Sequence, residues 1–122
     1  YDVSIPLTEM YKLVEAIRER LKGSANVVGY GHLGDSNLHL NISTPGAGHS
    51  HEILQQIEPF VYEWVAKHEG SISAEHGIGA MKPEALKYSK SAEAINVMAL
   101  IKRSLDPNGI MNPYKMFPRA PP

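Results

Sequence analysis

Cysteine is absent from the 122 residues, so neither a disulfide frame nor a thiolate metal site is available, and any metal must be held by His, carboxylate or water. Long apolar runs are missing too: no stretch approaches the roughly 20 residues a helix needs to cross a bilayer. Nor is there an excess of charge of one sign. Twelve Lys and Arg nearly balance thirteen Asp and Glu, and no basic stripe is interleaved with the few aromatics, which argues against nucleic acid as the main partner. No signal or transit peptide is legible, and the opening on Tyr1 without Met, directly on an apparent strand, suggests a piece of a longer protein. What is present suffices for a single domain over residues 1–122, with 43% apolar residues to fill one core.

Hydrophobic periodicity orders the chain. Residues 1–5 alternate, with Val3 and Ile5 on one face and Asp2 and Ser4 on the other, as a half-buried strand does; Pro6 ends it. Thr8 is placed to cap a helix over 8–22, where Leu13, Val14, Ile17 and Leu21 recur at helical spacing until Gly23. A strand over 25–31, a turn over 33–36 and a second strand over 37–43 follow, Gly31, Gly34 and Asp35 tolerating the positive φ of a tight reversal. After a loop over 44–50, a helix over 51–69 presents Ile53, Leu54, Ile57, Val61, Trp64 and Val65 to the core, interrupted at Pro59. Residues 70–74 read as a short strand with Ser71, Ser73 and Glu75 on its polar side. A last helix spans 91–104 and stops at the turn sequence Asp106-Pro107-Asn108-Gly109, and the tail 110–122 is too rich in proline for a regular element.

The order of elements predicts an α+β, ferredoxin-like βαββαβ sandwich, an antiparallel sheet with both main helices on one face plus an extra C-terminal helix. The other face would be open. Period-two reading sends Asn37, His39, Asn41, Ser71, Ser73 and Glu75 there, where they need water, a metal, a ligand or another domain.

Two stretches dominate that face: GYGHLGDSNLHLN at 29–41 and SAEHGIG at 73–79, which together hold three of the six histidines. His32 and His39 flank a glycine-rich turn, and Glu75 supplies a carboxylate from elsewhere; two imidazoles and a carboxylate leave a coordination position open for a substrate oxygen. H-x6-H is a weak pattern alone, and a strand His is as readily a satisfied polar residue. In a ferredoxin-like order the first strand lies between those bearing His39 and Glu75. Their backbones would then be about 9–10 Å apart, a gap that a His and a Glu arm just span with a cation between them. Gly77 and Gly79 could bring amide groups to an anion, with Lys82 either nearby or simply solvated, whereas His49, His51 and His68 read as solvent-facing.

These blocks, with YDVSIPL at residue 1, VVGYGHLGDSNLHLNIS, GSISAEHGIG and LDPNGIMNPYKMFP in order, resemble the C-terminal domain of FAD-linked oxidases and dehydrogenases, in the branch of the D-2-hydroxyglutarate dehydrogenases. The resemblance implies oxidation of a D-2-hydroxy acid to a 2-oxo acid, with electrons passing to FAD and on to an acceptor such as an electron-transfer flavoprotein. It implies metal ligands at His32, His39 and Glu75, with zinc the usual metal, a substrate contact at Asn41, and a substrate-binding, proton-abstracting base at His76. Asn112 and Lys115, in NPYK, match a segment that packs near the flavin or else closes the domain as a turn. Ser36 departs from the pattern, which more often has Gly there, and a positive φ would cost Ser more. By the same resemblance FAD is bound mainly by a domain ahead of this region, without which the chain is expected to be inactive, and the compartment is mitochondrial.

A second function class stays open: ferredoxin-like domains also serve as ligand- or protein-binding modules, and some relatives carry an actin-interacting description. An RNA-binding sheet ranks below both, because it needs stacking aromatics and a basic surface.

Overall fold

In the computed structural model, which describes residues 1–46 and 50–117, three strands form an antiparallel sheet in the order β1-β3-β2: β1 Asp2–Ser4, β2 Asn26–Tyr30 and β3 Asn37–Ser43. Asp2 faces His39 across the first pair, and Tyr30 faces the same His39 across the second. Helices α1 (Leu7–Leu21) and α2 (Ser50–Lys67) cover one face, where Val3, Ile5, Val27, Leu38 and Leu40 meet Leu13, Val14, Ile17, Ile57, Val61 and Val65 in one buried cluster. Burying each such side chain contributes about 1.5–3 kcal/mol, which is what holds the two helices on the sheet. The architecture is the expected α+β sandwich with ferredoxin-like strand order.

The fourth strand is reduced to a single bridge. Ser4 and Ser71 exchange two backbone hydrogen bonds of 2.9 and 2.8 Å on the free edge of β1, the position the ferredoxin-like order assigns, and beyond them the pairing is irregular, with the Ala74 N–H donating to the Asp2 carbonyl at 3.3 Å. Hydroxyl groups take over from it: the Ser71 Oγ donates to the Ser73 carbonyl at 2.8 Å and the Ser89 Oγ accepts the Ile72 N–H at 2.7 Å. Side-chain bonds of this kind compete with sheet pairing. Gly70 permits the close crossing, since a Cβ there would lie 2.3 Å from the Ser4 carbonyl oxygen.

Three local expectations need correction, and one element is new. Pro6, and not Thr8, occupies the N-cap of α1; its fixed φ of −51° both ends β1 and starts the helix, so Thr8 falls inside the first turn. Leu54 is 44% exposed, because the buried stripe of α2 runs through Ile53, Ile57, Val61 and Val65, with Tyr62 buried beside it. His68 is half-buried: Nδ1 lies 2.8 Å from the Trp64 carbonyl, its ring tilts against the indole, and Nε2 is 3.4 Å from Glu9. Residues 83–88 form a short 3₁₀ helix that periodicity did not reveal, burying Ala85 and Leu86. His51 is exposed, as expected; His49 and residues 118–122 lie outside the described residues.

The last helix, α3 (Ala92–Leu105), starts with Ser91 accepting the Ala94 N–H at 3.2 Å. None of its residues is buried, and Val97, Leu100, Ile101 and Leu105 are each more than half exposed. Beyond it, Gly109 N–H donates to the Asp106 carbonyl at 3.1 Å, closing the expected turn, and residues 110–117 contain no regular element.

Candidate functional site

The site grows from the β2–β3 connection. Gly31 has φ +155°, and a Cβ there would meet the Asn37 carbonyl oxygen at 2.3 Å, so only glycine lets the chain leave β2 this closely. Residues Leu33–Asp35 then make one 3₁₀ turn, and Ser36 adopts the left-handed conformation at φ 55°. The strained position is thus Ser36 itself, while Gly34 has no positive φ. The His32 carbonyl accepts from Asp35 and Asn37 N–H at 3.0 and 3.1 Å, which turns His32 back alongside β3.

His39, only 8% exposed, is packed between rings. Tyr30 tilts against it with centroids 5.1 Å apart, His76 stacks on it at 5.1 Å, and His32 meets it edge-on at 6.1 Å. Glu75 faces all three imidazoles. Its Oε1 lies 2.9 Å from His39 Nε2 and 3.6 Å from His76 Nε2, and its Oε2 lies 3.7 Å from His32 Nδ1.

The predicted gap between His39 and Glu75 is closed by the protein alone. Ala74 still donates its N–H to the Asp2 carbonyl at 3.3 Å, and the Glu75 and His76 amides then turn onto the Asp2 carboxylate, so the two arms meet directly. Asp2 and Asn37 are buried, at 2% and 3% exposed, and the sheet face opposite the helices stays open toward Asn41 and Ser43 and their β2 partners Val28 and Asn26, with Tyr30 also exposed.

Of the residues singled out in the sequence, His39, Glu75 and His76 come together most tightly. One potential ligating atom from each of Asp2, His39, Glu75 and His76 lies within 4.8 Å of the others. His32, 63% exposed, stands outside this group on the far oxygen of Glu75. Asn41 is on the same face of β3 two residues beyond His39, about 7 Å along the strand, and exposed. Asn112 and Lys115 sit elsewhere. Lys115 lines a cavity with Met81, Glu84 and Tyr114, and Met116 N–H fastens the segment to the Gly79 carbonyl at 2.8 Å; among the described residues no contact joins either one to the histidines. Lys82 leans over the Tyr1 ring, 5.8 Å from its centroid.

Asp2 is the residue that sequence reasoning missed. Its Oδ2 accepts the backbone N–H groups of Glu75 and His76 at 2.9 and 2.8 Å, and its Oδ1 accepts the Asn37 amide at 2.9 Å. Burial alone would raise its carboxyl; the His76 and Glu75 amides, the His76 charge and the Asn37 amide outweigh it and hold the group below the ordinary aspartate range. The available signal was an aspartate inside a strand, a residue type that strands disfavour.

Three imidazoles converging on one carboxylate match the donor chemistry of a borderline divalent cation, with nitrogen and oxygen ligands and no thiolate. The chain belongs to the family of FAD linked oxidases, C-terminal domain, whose model matches residues 1–116. Its relatives include the mitochondrial D-2-hydroxyglutarate dehydrogenase of Arabidopsis thaliana, 57% identical over 120 residues that cover 98% of this chain and 21% of that protein. The enzyme of the same name from Bos taurus is 54% identical over 119 residues, covering 97% and 22%. A D-2-hydroxyglutarate–pyruvate transhydrogenase of Saccharomyces cerevisiae is 44% identical over 125 residues, covering 94% and 25%. The chain spans about a fifth of the length of the first of these relatives. Among the described residues no helix is long and apolar enough to cross a membrane.

Proposed function

We propose that this chain is the metal- and substrate-binding part of an FAD-dependent dehydrogenase that oxidises a D-2-hydroxy acid, D-2-hydroxyglutarate first among them, to the 2-oxo acid. The observation that carries the reading is the convergence of His32, His39 and His76 on Glu75. His32, His39 and Glu75 would hold a divalent cation, zinc being the best match to two imidazoles and a carboxylate. When bound, the cation supplies Lewis-acid polarisation of a hydroxyl and FAD supplies hydride acceptance.

The chain's own residues supply position and proton transfer. His76, 64% exposed at the rim of the cluster, takes the hydroxyl proton on a ring nitrogen, and its stacking on His39 fixes the direction from which it approaches. Asn41, exposed further along the same strand face, donates an amide hydrogen bond to a substrate oxygen. The buried Asp2 and Asn37 keep bulk water from the inner side of His39, while the exposed Tyr30 ring covers its flank. FAD is held mainly by residues ahead of this region in the longer protein; Asn112 and Lys115, on the segment fastened to Gly79, contribute to that cofactor's surroundings. Mitochondrial location belongs to the same reading and rests on the relatives' names; electron delivery to an acceptor such as an electron-transfer flavoprotein is part of the proposal.

The test is zinc titration of the chain by calorimetry beside His32→Ala, His39→Ala and Glu75→Ala. Each variant should stay folded and lose at least about 100-fold in affinity, above what removal of a supporting residue costs. Unchanged isotherms in all three would discard the metal assignment. In the longer protein, His76→Ala should lower kcat for D-2-hydroxyglutarate by about 10²–10⁴-fold with zinc content unchanged.

A further inference from the structure

Glu75 and His76 are consecutive, yet both side chains reach His39, one by a 2.9 Å contact and the other by ring stacking. Neighbours in an extended chain point to opposite sides. Their sharing of one side requires a bend, and the bend is held at its inner edge by a single atom: the Asp2 Oδ2, which accepts both of their backbone N–H groups. Ser73 Oγ approaches the same oxygen at 3.5 Å, and Gly77, at φ +81°, releases the chain beyond it. The other oxygen, Oδ1, takes the Asn37 amide and lies 3.8 Å from His39 Nδ1, while Oδ2 lies 3.9 Å from His76 Nδ1.

We propose that Asp2 is the positioning residue of this site, an outer carboxylate that sets Glu75, His76 and the His39 ring as one unit without ligating the cation itself. The inference rests on the metal reading above and goes beyond it by assigning a role to a residue outside the proposed ligand set. Asp2 could in principle be a ligand, since one of its oxygens is within 4.8 Å of the other donors. Its lone pairs are already directed at three donors at 2.8–2.9 Å, and turning one to a cation would take an acceptor from the buried Asn37 amide or from the partly buried amides of Glu75 and His76. Carboxylates behind metal-binding imidazoles orient the ring and select its tautomer, and here the carboxylate also shapes the backbone that carries the third ligand and the base.

Asp2→Asn is well suited to the test. Asn37 Oδ1 is buried without a partner, so an amide flip at Asn37 lets it accept from the new side-chain NH2 while the remaining carbonyl oxygen keeps accepting from residues 75 and 76. The charge is lost and the shape is kept. Wild type, Asp2→Asn and Asp2→Ala would be titrated with Zn²⁺ by calorimetry and with Co²⁺ by visible absorption. Amide exchange at Glu75 and His76, and contacts between the His39 and His76 rings, would be followed by NMR without metal.

Zinc affinity should fall about 10-fold in Asp2→Asn and about 100-fold in Asp2→Ala. The Co²⁺ bands of Asp2→Asn should keep their position and intensity, because the ligand set is unaltered. Without metal, Asp2→Ala should free the two amides and separate the two rings, while the Leu38 and Leu40 amides keep their protection. Altered Co²⁺ bands in Asp2→Asn would make Asp2 a ligand and overturn the proposal, as would unchanged zinc affinity in Asp2→Ala. If wild type binds neither ion, the metal reading fails separately. The metal-free measurements then decide: rings that stay stacked in Asp2→Ala overturn the positioning role, and rings that part support it.

Discussion

Asp2 and Asp106 are both almost wholly buried, and each accepts hydrogen bonds from two consecutive backbone N–H groups. Asp106 takes the Ile110 and Met111 amides, four and five residues away, at 3.1 and 3.0 Å. Asp2 takes amides 73 and 74 residues away. Their countercharges differ as well. Asp106 is paired with Lys102 one helical turn back, and the Lys102 ammonium also donates to the Met111 carbonyl at 2.6 Å. Around Asp2 stand the imidazoles of His39 and His76, at 3.8 and 3.9 Å. The local carboxylate is paired within one helical turn, whereas the long-range one gathers groups from both ends of the chain. One fastens a turn and the other assembles a site.

The comparison breaks most sharply by removing each carboxylate. Asp2→Ala leaves one buried and two partly buried donors without their acceptor and should destabilise the chain by about 2 kcal/mol in urea unfolding, the buried Asn37 amide costing the most. A loss no greater than that of Asp106→Ala would mean that distance along the chain is irrelevant to what these groups hold. For Asp106→Ala or Lys102→Met the expected change is local. Amide exchange at Ile110 and Met111 should quicken about 10-fold with Leu38 and Leu40 unaltered, and a spread of the effect into the sheet would contradict the separation.

Acid sharpens the same contrast. The Lys102 ammonium, against the opposing effect of burial and aided by the Met111 and Ile110 amides, holds the Asp106 carboxyl below its ordinary range. A depressed folded pKa means that its stabilisation is fully present above the unfolded value near 3.9 and is lost as pH falls through the folded one. Protection at residues 110 and 111 should therefore be flat from neutral pH to about 5 and decline below about 4. Protection lost above pH 6 would remove Asp106 as its source. Smallest in effect, Ser36→Gly should stabilise the β2–β3 connection by about 0.5–1 kcal/mol, because φ 55° strains Ser more than it strains Gly. Thermal unfolding reads that gain.

The difference between the two aspartates is also the difference between what the sequence discloses and what it hides. Asp106-Pro107-Asn108-Gly109 announces a turn by local chemistry, and the turn is there. Periodicity likewise placed residues 37–43 in a strand whose bounds match, and the two stripes that carry α1 and α2 onto the sheet. It told which face Asp2, His39 and Glu75 belong to. It could not tell that the chain after Ser71 leaves the regular ladder, because the Ser71 and Ser89 hydroxyls bond residues two and seventeen positions away and the Ser73 hydroxyl reaches Asp2, 71 residues away. For the same reason Asp2 read as a strand residue with a polar side chain, and the proposed ligand set left it out.

The threading of the site through the chain has a consequence for the order in which the molecule is made. His32 and His39 are brought together by a hairpin, a closure of a few residues that forms in microseconds. Glu75 and His76 join them only after β1 has paired with β3 and the chain has looped back 73 residues to Asp2, and such distant contacts form late because loop closure must precede them. A partly folded chain with both helices and the hairpin in place would carry two of the imidazoles and no carboxylate. On the proposed metal reading, cation uptake by this domain would mark the end of folding, and a filled site would certify that both ends of its topology have met.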